Sequence, residues 1–349
     1  MILKLQNYQA SGVVQEGGKG NLEMVTEVFD NIYCIQVDLP GNPLKYTNAY
    51  LIRGEESDLL IDTGFRNEIC RTALDEGLLE LESVRKRREV LITHLHGDHS
   101  GLADIMAGPT KNIYMGRADR EYRRRIYDPE HRRIKRARFL EEGFPQDILD
   151  TVYEINPAIT QSLPNDFDRF TLLDDGDEVH AGGYTLKTIV VPGHTPASCM
   201  FWMEKEKIMF TGDHVLFDIT PNITEWEGVE DSLGDYLESL LRVRNYPVEL
   251  ALPGHRHSGN YKERIGEILA HHGRRLTDTE RIIREHPGLT GYDIAGLMKW
   301  KIRARSWEEF PATQKWFAVG ECFSHLDYLR KRGIIQRSRD GNLWRYEMT

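Results

Sequence analysis

The chain has 349 residues, 40% apolar and 29% charged, with a formal net charge of −10, which is ordinary for a globular protein and long enough for a large domain plus a small one. No apolar stretch approaches the roughly 20 residues needed to span a bilayer. The four scattered cysteines (Cys34, Cys70, Cys199, Cys322) argue against a disulfide framework, and the polar, Gly-rich amino terminus lacks a signal-peptide layout, so a reduced, cytoplasmic protein with no membrane partner is expected.

Short β-branched segments open the chain: Met24–Phe29, Ile32–Val37, Thr47–Ile52 and Leu59–Ile61 read as hairpin strands. Asn67–Leu81 has helical spacing and leads into a buried strand at Val90–Thr93, and Asn112–Met115 reads as another strand. One long basic helix is expected from Arg117 to about Glu142; between Arg117 and Arg138 it carries ten Lys and Arg against four acids. The segment 117–145 reads as an insertion that serves either as a solvated helix or as a lid, with Tyr122, Tyr127 and Phe139 packing on the sheet or lining a pocket. Strand-like material returns at Thr171–Leu173, Tyr184–Val191, Cys199–Met203, Lys207–Phe210 and Glu249–Leu252, where Cys199 reads as a core thiol. The pattern is mixed α/β, with helices outside.

From about Asn260 the character turns helical, so residues 1–259 and 260–349 are read as two domains. Thr277–Glu280 and Thr290–Asp293 both fit capping boxes, opening helices at Glu280–Glu285 and Tyr292–Lys299. His271 and His272 read as surface residues. A helix at Thr313–Arg332 stops at Gly333, and Ile334–Arg337 and Leu343–Glu347 flank the Asp340-Gly341 turn. Three helices and a hairpin describe a winged helix, with Trp300, Trp307, Trp316, Phe317, Phe323 and Leu326 as its core. Residues 262–349 hold 17 Lys and Arg against 12 Asp and Glu, and Lys331, Arg332, Arg337 and Arg339 could contact nucleic acid, although a dimer contact or pocket wall suits the domain better.

The chemistry is concentrated in Thr93-His94-Leu95-His96-Gly97-Asp98-His99, which follows a buried strand and supplies four possible ligands. Three imidazoles and a carboxylate in a half-buried loop are costly unless coordinated, and this donor set suits a divalent ion such as zinc. Further apolar strands end in His194, Asp213 and His255, each next to a glycine, and an earlier one ends in Asp62.

The ordered series Asp62, His94-x-His96-x-Asp98-His99, His194, Asp213, His255 resembles the metallo-β-lactamase-fold hydrolases over residues ~23–257. The resemblance implies an αββα sandwich and two metal ions, most simply Zn2+, with Fe or Mn as alternatives. His94, His96 and His194 would hold one ion, Asp98, His99 and His255 the other, Asp213 would bridge them, and Asp62 would orient a ligand. Asp98, Asp213 and Asp62 are thus the carboxylates expected to serve catalysis. The set is similar to that of glyoxalase II, lactonases and metal-dependent ribonucleases, and the tail resembles the lactamase-β-2-like branch. The basic stretch at 117–142 and the Arg256-His257 pair after His255 depart from that branch. His214, His257 or Tyr261 could donate a proton.

The function expected is a dinuclear hydrolase in which metal-bound hydroxide attacks a small, anionic ester, thioester or lactone. The alternatives are an endoribonuclease on single-stranded RNA and an iron-dependent sulfur oxygenase. A DNA-binding regulator fits poorly with the acidic charge, and a homodimer is compatible with the reading.

Overall fold

The computed structural model describes residues 24–349 except 84–86, 109–111, 127, 157–159, 162–168 and 302–303. Tyr127 and the amino-terminal segment read above as polar therefore lie outside the described residues. Two sheets form the centre. The first runs β1 (Val25–Phe29), β2 (Ile32–Asp38), β3 (Tyr46–Ile52), β4 (Ser57–Ile61), β5 (Arg87–Leu91), β6 (Ile113–Gly116), β7 (Thr171–Leu173) in that spatial order, antiparallel up to β4 and parallel beyond it. The second runs β12 (Leu250–Pro253), β11 (Ile208–Gly212), β10 (Cys199–Met203), β9 (Tyr184–Val190), β8 (Glu178–Ala181), with β11 and β12 parallel.

Side-chain alternation explains the layering. In β10, Cys199, Phe201 and Met203 enter the core between the sheets, while Met200 and Trp202 face outward. Those outward residues pack under α7 (Ser232–Val243) and the start of α8 (Tyr261–Glu285). In β3, Tyr50 and Ile52 join the core between the sheets. Leu51 faces α1 (Glu68–Glu80) and α3 (Ala103–Met106), which follow the short α2 (Gly97–Ser100). The outcome is the αββα arrangement that the resemblance implied. No helix among the described residues is long and apolar enough to cross a membrane.

The basic insertion is two helices rather than one. α4 (Arg117–Ile126) stops before Asp128, whose carboxylate accepts from the Glu130 backbone N–H at 2.9 Å and caps α5 (Pro129–Glu141), with Pro129 in the first turn. α6 (Gln146–Ile155) follows. Phe139, Phe144 and Leu149 from this insertion share one core with Ile282, Val319, Phe323 and Tyr346. Much of it therefore packs on the carboxyl-terminal region.

That region comprises α8, α9 (Gly291–Leu297), α10 (Ala312–Lys331) and the ribbon β13 (Ile335–Asp340) with β14 (Leu343–Met348). The capping box at Thr290 and Asp293 is present. The one expected at Thr277 is not: Thr277 and Thr279 hydroxyls donate back to the carbonyls of Gly273 and Arg275, leaving α8 unbroken over 25 residues. His272 is a second correction. It is fully buried, its Nδ1 3.4 Å from His325 Nε2, because α8 is covered by α7 and α10 and has little free face there.

Candidate metal centre

The parallel pairs β4·β5 and β11·β12 send their carboxyl ends toward one edge of the sandwich. There the Asp62, His94–His99, Asp213 and His255 loops are joined by backbone bonds: Thr63 N–H donates to His99 O at 2.8 Å, Cys199 N–H to Thr93 O at 2.7 Å and Asn48 N–H to Gly254 O at 2.8 Å. Gly254 must be glycine for space, since a Cβ would sit 2.5 Å from Asp213 Oδ1 and 2.8 Å from the His99 ring. Gly193, at φ +135°, turns the chain into His194 where a Cβ would strike Tyr236.

Three groups have donor atoms close enough to hold a cation: His94, His96 and His194; His94, His99 and Asp213; Asp98, His99 and His255. His96 Nδ1 lies 3.0 Å from both His94 Nε2 and His194 Nε2. His99 Nε2 and His255 Nε2 are 3.2 Å apart. Two nitrogens bound tetrahedrally to one ion at about 2.0–2.1 Å are separated by about 3.3 Å. Asp213 lies between the groups, Oδ1 3.5 Å from His99 Nε2 and Oδ2 3.7 Å from His194 Nε2 and 3.4 Å from His255 Nε2. Its buried Oδ1 has no hydrogen-bond donor among the described residues. Asp98 Oδ2 is 3.4 Å from His255 Nε2.

The outer ring nitrogens are held from behind. His194 Nδ1 faces the Asn222 carbonyl at 2.9 Å and His255 Nδ1 the Tyr46 carbonyl at 2.7 Å. A carbonyl can only accept, so Nδ1 carries a proton and a neutral ring turns the Nε2 lone pair inward. Asp62, at φ +61°, accepts from the Thr93 backbone N–H at 2.9 Å and its hydroxyl at 2.7 Å, and lies 2.8 Å from His99 Nδ1. The Thr93 hydroxyl oxygen is also 3.0 Å from His94 Nδ1. One carboxylate thus orients His99 directly and His94 through Thr93, and it caps no helix.

Burial is the largest influence on every one of these groups. It lowers His94 and, with His194, takes His96 to about 3. For His99 burial is outweighed by Asp213, Asp62 and Asp98, which lift it well above the usual range, and for His255 by Asp213 and Asp98, which lift it to about 9. Burial also works against ionised Asp98 and Asp213, but His99 and His255 hold Asp98 at about 2 and Asp213 far below its ordinary value. One side of the site offers neutral imidazoles; the other requires positive charge, as protons or as a cation.

The expected proton donors fare unevenly. Tyr261 is buried and donates to Val243 O at 3.2 Å, away from the ligands. His257 is exposed and 3.0 Å from Asp218 Oδ2. His214 is buried against the Tyr236 ring, with no hydrogen-bond partner for either ring nitrogen among the described residues.

Sequence reading missed three supports. Asp119, buried in the first turn of α4, accepts from Leu95 N–H at 2.8 Å, Ala197 N–H at 2.7 Å and the Thr195 hydroxyl at 2.8 Å, fastening the His94–His96 loop to the His194 loop. Trp226 lies against the His96 ring at 5.8 Å and donates to His194 O at 3.2 Å. Asn222 donates to Phe317 O at 3.4 Å and Glu321 Oε2 at 3.0 Å on α10, tying the brace behind His194 to the tail.

The sequence model of the metallo-beta-lactamase superfamily matches residues 42–255, more than half of the chain and every candidate ligand of this site. The protein belongs to the metallo-β-lactamase superfamily. Among curated relatives, the beta-lactamase-like protein 2 homolog of Caenorhabditis elegans is 27% identical over 81% of this chain and 82% of its own length. The atrochrysone carboxyl ACP thioesterase of Emericella nidulans is 26% identical over 62% of this chain and 53% of its own length. Among solved structures, a beta-lactamase domain protein from Burkholderia ambifaria is 25% identical with a TM-score of 0.79, covering 99% of this chain and 100% of that one. A metallo-beta-lactamase family protein from Thermus thermophilus is 27% identical with a TM-score of 0.77, covering 93% of this chain and 100% of that one. This metallo-β-lactamase superfamily member is a metal-dependent hydrolase by that kinship.

Proposed function

We propose that the chain is a dinuclear hydrolase of a small ester, thioester or lactone. The observation that carries the reading is the convergence of His94, His96 and His194 on one side and Asp98, His99 and His255 on the other, with Asp213 between them. His94, His96 and His194 would hold one ion, Asp98, His99 and His255 a second, and Asp213 would reach both; zinc suits the donors. Divalent ions held there supply an activated water and polarise the scissile carbonyl oxygen.

The chain's own contribution is orientation. Asp62 and Thr93 fix the His99 and His94 rings, the Asn222 and Tyr46 carbonyls fix His194 and His255, and Asp119 keeps the two loops in register. No cysteine serves as nucleophile, since all four are buried. The Emericella relative, named as a thioesterase, supports an acyl substrate.

Against RNA, Arg332 pairs with Asp231 at 2.7 Å, Arg337 with Glu142 at 3.5 Å and Arg339 with Glu141 at 2.8 Å, so the tail cations are engaged within the chain. Metal analysis of the purified protein, followed by ester, thioester and lactone panels with and without a chelator, tests the proposal. About two ions per chain and chelator-sensitive turnover are expected. Less than one ion per chain, or oxygen uptake or RNA cleavage with no acyl hydrolysis, overturns it.

A further inference from the structure

The insertion and the tail bring a cation to the aromatic wall beside the metal centre. Lys135, on α5, holds its Nζ 5.3 Å from the centre of the Trp226 ring and 5.4 Å from that of Trp316 on α10. Trp226 is the indole that lies against His96, fixed there by its bond to the His194 carbonyl. Lys135 and His96 therefore share one aromatic neighbour. Trp316 is held by stacking on Phe139, with centroids 5.8 Å apart and planes at 10°.

Neither polar group in this cage is satisfied by the protein. The Lys135 ammonium has no hydrogen-bond acceptor and no carboxylate within 4.0 Å among the described residues; Glu225 is the acid that acts on it, from beyond that distance. The Trp316 Nε1–H is buried and lacks an acceptor as well. Aromatic faces attract the charge but accept poorly from N–H bonds. An ammonium with no acceptor in the protein is complementary to an oxygen anion.

We propose that Lys135 binds a carboxylate carried by the substrate, so that the enzyme selects acidic esters or thioesters. This rests on the hydrolase reading and names the substrate class of that same centre. It also gives the basic insertion a task other than closing over the site: α5 presents one cation from a wall it builds with α10.

The test uses metal-loaded full chain and two matched thioester pairs. One places the charge on the acyl half (succinyl against butyryl), the other on the leaving thiol (3-mercaptopropionate against propanethiol). Wild type is expected to favour the charged member of one pair through KM. In Lys135→Met that preference, as a ratio of kcat/KM values, falls about tenfold or more, the scale of one charge-assisted hydrogen bond. Lys135→Arg keeps most of the ratio. Equal loss for charged and neutral members, or no preference in wild type, overturns the assignment.

Calorimetric binding of succinate against butyrate separates this from the parent reading, since both acids offer a carboxylate to the metals and only succinate offers a second. Should wild type hydrolyse no ester, thioester or lactone, the hydrolase reading falls and binding alone decides. Tighter succinate binding that vanishes in Lys135→Met upholds the site, and identical binding of the two acids ends it.

Discussion

Asp62 shows how much one carboxylate can organise: it receives Thr93 twice and meets His99, so two of the proposed ligands depend on its charge. Asp62→Asn keeps the size but offers an N–H where an acceptor is needed. Metal retained after dialysis is expected to correspond to about 10–100-fold weaker affinity, and wild-type retention would show that the rings orient themselves. Asp119 makes a different prediction. Burial raises its carboxyl to about 6 from an ordinary 3.8, so the native state takes up a proton that the unfolded chain releases within that window. The favourable contribution is full at low pH and is lost as pH rises through about 6. In urea titrations of metal-free protein, wild type should lose up to about 3 kcal/mol relative to Asp119→Asn between about pH 4 and 7; parallel curves would refute it. The His94–His99 motif was legible because its four donors are neighbours in the chain. Asp119 was not, because its partners come from loops 24 and 76–78 positions away.

At the scale of elements, the strands leading to the site were readable because they alternate or run apolar to a glycine at its edge, whereas the four-residue β8, which carries Glu178 and His180, was not read as a strand. Helix breaks were less so. The Asp128-Pro129 pair carried the signal that divides α4 from α5, yet the surrounding run of arginines concealed it. At Thr277–Glu280 the same letters that make a cap lie inside α8, where the threonine hydroxyls satisfy carbonyls one turn back and burial of Ile282 and Ile283 keeps the helix going. The partner of α5 was invisible in the sequence, since an amphipathic stretch does not name what covers it. Phe139 is 1% exposed, lies 5.1 Å from the Phe323 ring, and shares a core with the tail. Phe139→Ala should cost about 3–5 kcal/mol, read as a lower melting temperature together with increased protease cleavage in both the insertion and the tail. Cleavage confined to the insertion would mean that the two regions fold separately.

Over the whole molecule, the catalytic sandwich and the tail are joined by α8, which begins against the second sheet and ends in the core beside Phe323, and by the Arg332–Asp231 and Arg339–Glu141 pairs. The strand pattern gave a mixed α/β layout and the αββα layering came only with the resemblance carried by the ligand series, whereas the tail's hold on the centre depends on Asn222, for which no spacing rule exists. That tether has a thermal consequence. Among the described residues the tail contributes no strand to either large sheet, so its local opening should require less free energy than theirs. Once α10 departs, the loop carrying the acceptor for His194 is released, and metal held at the proposed site would begin to escape while the sandwich remains intact. Warming in dilute buffer should therefore abolish activity several degrees before the sheet signal in circular dichroism collapses, and excess zinc should narrow that gap. Coincident transitions, unmoved by zinc, would mean that tail and sandwich come apart in one step.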